Sequence, residues 1–169
     1  MQSVKRWLER VSLRGFPAIL TILMVFFAAA VGHIPGMSHV MPLLVLINIY
    51  YWCMFYPGTL PYWFLFLLGL LQDTLSGVQI GFSSFVNVLV AFVIIRKLRV
   101  FSTMSFAVIW LRFVELALGT VALMWFMAVL FQPQARFAPI SYQILQWFSS
   151  CLAYPLLHYF LTTLYRSDD

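Results

Sequence analysis

Charge is what this chain has least of. Lys, Arg, Asp and Glu together make up 9% of its 169 residues, and only five residues are acidic. A soluble domain carries about 25% charged and about 45–50% apolar residues. Here 63% are hydrophobic and 18% aromatic, with a mean hydropathy of +0.95. Polar side chains are too few to cover a water-facing surface, which excludes a soluble globular protein. Reactive residues are equally sparse. Cys53 and Cys151 lie in apolar runs without a partner at metal-ligand spacing and read as small packing residues. His33 and His39 flank one turn without the third ligand that a metal site needs.

Enzyme motifs fare no better. Gly81, Phe82, Ser83, Ser84 and Phe85 make half a nucleophile elbow, but the final glycine is missing and no His stands at matching depth. Ser83 or Ser84 reads instead as the N-cap of the following helix. Neither a phosphate loop, a metal-ligand cluster nor a carboxylate pair in a polar cleft is evident. No catalysis, metal or cofactor is expected. Ten basic residues against five acidic ones give +5. These cations stand at segment ends, as in a membrane protein that orients itself by charge, and point to lipid rather than nucleic acid.

Six apolar segments fill the chain, at about 16–34, 40–56, 60–76, 82–97, 104–131 and 140–165. A bilayer core takes about 20 apolar residues per helix, so six crossings occupy roughly 120 residues and leave no room for an extramembrane module. The expected fold is therefore all-α: a six-transmembrane-helix bundle forming one integral membrane domain, 1–169. The breaks have chemical causes. Gly32, Pro35 and Gly36 interrupt the first pair, Pro57, Gly58 and Pro61 the second, Gly77 and Gly81 the third, and Pro133 and Pro139 the last. Residues 1–15, with Trp7 among cations, suit a basic helix lying on the headgroups or a frayed tail.

Orientation follows from Lys and Arg. Lys5, Arg6, Arg10, Arg14, Arg96, Lys97, Arg99 and Arg166 fall on the side that holds both termini, and Arg136 alone on the other. That asymmetry places both ends in the cytoplasm. Ala28 and Ala30 mimic a signal-peptidase site, but an uncleaved first helix is expected.

Ionisable residues inside spans are costly unless they pair or line a cavity. Asp73, Arg112 and Glu115 are placed by helical rise at one depth, with Arg112 bridging Glu115 in its own helix to Asp73 across the bundle. The plainer alternative has Arg112 snorkelling to the headgroups. Asn48, Asn87 and His158 are secondary candidates for interhelical bonds, and Ala28 with Gly32 for close helix approach.

One stretch is more distinctive than hydropathy. Gly69, Leu70, Leu71, Gln72, Asp73, Thr74, Leu75, Ser76, Gly77 and then Gly81 place an intramembrane acid four residues before a glycine stop, with a restart into a second apolar helix. This pattern resembles the signature of the rod-shape-determining MreD family, and Tyr51, Trp52 and Pro57 upstream look like that family's second helix end. The resemblance implies a fold like the substrate-binding subunits of energy-coupling-factor transporters. It also implies a non-enzymatic role in the bacterial inner membrane, supporting sidewall peptidoglycan synthesis and rod shape. Implied partners are chiefly MreC, with MreB, RodA and a class B penicillin-binding transpeptidase; a homo-oligomer is left open. In that role Gly69, Gly77 and Gly81 serve packing and turning, and Asp73, Arg112 and Glu115 form a polar centre for a partner or ligand. The alternative reading makes the same centre the floor of a vitamin pocket in an uptake transporter.

Overall fold

The second helix sits at the centre of the molecule. In the computed structural model, which describes residues 2–32, 43–77, 79–98, 100, 103–131 and 140–166, six helices follow one another without a strand among the described residues. They are α1 (Gln2–Gly32), α2 (Leu44–Phe55), α3 (Tyr62–Ser76), α4 (Phe82–Val93), α5 (Phe106–Phe131) and α6 (Ile140–Arg166). The all-α expectation is met. Ten of the 12 residues of α2 are buried, because the sequence LVLINIYYWCMF offers no polar face to turn outward. Around it, α3 and α4 form the tightest pair, α5 pairs with α6, and α1 lies against α2 and α3.

Helix ends fall where the backbone chemistry requires. Gly77 closes α3 in the left-handed conformation, φ 66°, with its N–H returned to the Asp73 carbonyl. Gly81 opens α4 at φ 100°. A side chain is strained at either angle, so the glycine pair makes a four-residue step between antiparallel helices. Beyond Val93, α4 continues as a π-helical turn, Ile94–Leu98, where the Arg96 guanidinium lies 5.5 Å from the centroid of the Phe92 ring.

The helix α1 runs unbroken from Gln2 to Gly32 with Pro17 inside it, so residues 2–15 share one helix with the first apolar segment. None of the described residues comes within 4 Å of where a Cβ on Gly32 would stand. Pro35, Gly36, His33, His39, Arg99, Pro133, Arg136 and Pro139 lie outside the described residues.

The outside of the bundle is apolar. Ile19, Leu23, Phe27, Trp63, Leu152 and Leu156 are each more than half exposed. The helix α5 has 26 residues and a mean hydropathy of 2.1 over its best window, long and apolar enough to cross a membrane. Pro17–Gly32 and Leu44–Phe55 are shorter apolar stretches.

Candidate functional site

Asp73 is fully buried on α3, where an isolated carboxylate would be heavily penalised. Its compensation comes from the start of α4. One carboxylate oxygen accepts the Gly81 N–H at 2.8 Å, and the Ser83 N–H lies 3.0 and 3.2 Å from the two oxygens. These amides belong to the first turn of α4, which has no intrahelical partners for them and carries the positive end of the helix dipole. Asp73 thus caps the start of a neighbouring helix from outside it.

Three further contacts lock the same pair. A Cβ on Gly69 would stand less than 3.0 Å from backbone atoms of Ser83 and Ser84, so only glycine lets the two backbones approach this closely. The Ser84 hydroxyl donates to the Phe66 carbonyl at 2.9 Å. Gly77 and Gly81 set the turn between them. Gly69 and Asp73 of α3 with Gly81, Ser83 and Ser84 at the start of α4 therefore form one clamp, α3 against α4.

The expected bridge from Asp73 to Arg112 does not form, and Ser83 and Ser84 do not cap α4 with their side chains. Arg112 instead pairs within α5, Nη1 to Glu115 Oε2 at 2.7 Å. The three residues do not share a depth because the C-terminal end of α5 lies beside the turn that follows α3. Gln79, beside the clamp, donates to the carbonyl of Phe131 at the far end of α5. Arg112 lies 19 residues before Phe131, or about 28 Å at a rise of about 1.5 Å per residue. The polar centre is thus two sites: a capped acid at one end and an ion pair toward the other.

Asn48 is part of a buried chain joining α2 to α1. Trp52 Nε1 donates to Asn48 Oδ1 at 2.8 Å, Asn48 Nδ2 to Thr21 Oγ1 at 2.7 Å, and Thr21 Oγ1 to the Pro17 carbonyl at 2.6 Å. Asn87 is buried on α4, and its Nδ2 has no hydrogen-bond partner among the described residues. His158 stands among Tyr51, Phe55, Phe106 and Tyr154, with ring centroids 5.2–5.7 Å away. Sequence reasoning missed Thr21, whose signal is its place four residues after Pro17. It also missed Trp110, whose indole donates to the Cys151 carbonyl at 3.0 Å. Pro155 lacks the N–H that would otherwise take that carbonyl, so α5 supplies the donor that α6 lacks.

Among the described residues no three His, Cys, Asp or Glu side chains gather as a metal site. What the arrangement offers is rigid helix pairing and a surface ion pair. The rod shape-determining protein MreD family model matches residues 9–166, nearly the whole chain. The chain belongs to the MreD family. MreD proteins are membrane proteins with a role in determining rod shape, and the clamp from Gly69 to Ser84 is the stretch that carries the MreD-like motif. Comparisons with curated proteins and with solved structures find no match.

Proposed function

We propose that this MreD family member is a non-enzymatic, multi-pass scaffold of the bacterial inner membrane. It would cross the bilayer six times with both termini in the cytoplasm and support sidewall peptidoglycan synthesis by binding MreC, with MreB, RodA and a class B transpeptidase as further partners. The observation that carries this reading is the family match over 9–166, joined to a motif whose Gly69 and Asp73 hold two helices together. A side chain committed to capping and a glycine committed to packing serve a rigid platform. The apolar exterior and the length of α5 support residence in lipid.

Depletion in a rod-shaped host is expected to give rounded cells. The wild-type chain should restore the rod and Gly69→Ala should not, since the added methyl forces α3 from α4. Unchanged cell shape on depletion, with loss of a vitamin uptake activity, would overturn the scaffold reading.

A further inference from the structure

We propose that the groove between α4 and α5 seats one transmembrane helix of a partner protein, which donates a hydrogen bond to Glu115. This inference rests on the membrane-scaffold reading and names the surface that it uses. The groove is about 310 Å³ and is lined by apolar side chains, among them Leu89, Val93 and Leu123, around the Arg112–Glu115 pair. The two charged side chains are 34% and 56% exposed, on the outside of the bundle. The α5 helix, with 26 residues, spans about 39 Å, some 9 Å more than a hydrocarbon core of about 30 Å. With the helix centred, Glu115 lies roughly 9 Å beneath the boundary, too deep for a short side chain to reach water.

The pairing with Arg112 uses Oε2 of Glu115, and Oε1 has no donor among the described residues. An acceptor in hydrocarbon calls for an N–H or O–H group brought to it. Gly119, four residues on and on the same face, is exposed with nothing within 4 Å of where its Cβ would be. A mid-helix glycine costs about 1 kcal/mol relative to alanine, and none of the described residues uses the space it leaves. That space admits the backbone of another helix beside the waiting carboxylate. Lipid phosphates are acceptors and would address Arg112, leaving Oε1 unmet.

The test places a photo-crosslinking amino acid at Leu89 or Leu123 of the full chain in cell membranes, with MreC, RodA and the transpeptidase co-expressed, and a control at the exposed Leu156 of α6. Adducts from Leu89 and Leu123 should map within a membrane-spanning helix of one co-expressed partner. Their yield should fall about threefold or more when Arg112→Leu and Glu115→Leu are combined, the loss expected for a membrane hydrogen bond. That double variant is apolar in lipid and should keep its melting temperature. Equal adducts from Leu156, adducts only with lipid or a second copy, or an unchanged yield in the double variant would each overturn the proposal. Failure of the wild-type chain to co-purify with any of the three partners would instead overturn the scaffold reading.

Discussion

Asp73 shows how one residue meets the cost of its own burial. Its two oxygens hold the first amides of α4, so truncation leaves Gly81 and Ser83 donors without an acceptor. Each such orphan costs about 1–3 kcal/mol, and a lost cap by itself about 0.5–2 kcal/mol. Asp73→Ala is therefore expected to lower the melting temperature of the purified protein markedly, with Asp73→Asn milder because one oxygen stays. Adding Arg112→Leu should give a purely additive effect, since the two groups lie in different sites; a coupling above about 0.5 kcal/mol in thermal unfolding would refute that separation. The sequence singled out Asp73 because an acid in an apolar run is conspicuous. It concealed the partners, because a backbone amide has the same letter everywhere and nothing marks which amides a helix start will leave open.

At the level of elements, the breaks and most of the helix lengths were readable, and the relative height of the helices was not. Gly77 and Gly81 announced the turn between α3 and α4 through the φ angles that only they tolerate. Equal depth for Asp73, Arg112 and Glu115 failed because it counted from the N-terminal ends of α3 and α5, whereas the Gln79–Phe131 contact brings the C-terminal end of α5 beside the turn that follows α3. Prolines inside helices carried more meaning than punctuation. Pro155 leaves the Cys151 carbonyl free, and Trp110 of α5 fills the gap. Trp110→Phe should therefore destabilise by about 0.6–1.7 kcal/mol, the range of a membrane interhelical bond. In a Pro155→Ala background, where the helix supplies its own N–H, the hydrogen-bond part of that loss should vanish. A double-mutant cycle on unfolding in detergent reads the difference directly, and equal losses in both backgrounds would exclude this account.

For the whole molecule, composition was the most informative property. A chain with 9% charge turns its apolar side chains outward as well as inward, and α2 is buried all round because its neighbours enclose it. The basic residues predict how that body lies in the bilayer. Fluorescent-protein fusions after Arg99 and Arg166 should be bright and alkaline phosphatase fusions at those points inactive, with the opposite result at Gly36 and Arg136. A phosphatase signal after Arg99 would invert the proposed orientation. The clamp between α3 and α4 adds a demand on assembly. Entering lipid alone, α3 would bring a carboxylate with no donors and α4 a first turn with bare amides, each penalised by several kcal/mol. Entering together, each neutralises what the other exposes. Under the proposed six-span topology the two helices would leave the insertion machinery as one hairpin, with α4 finished before α3 settles in the membrane.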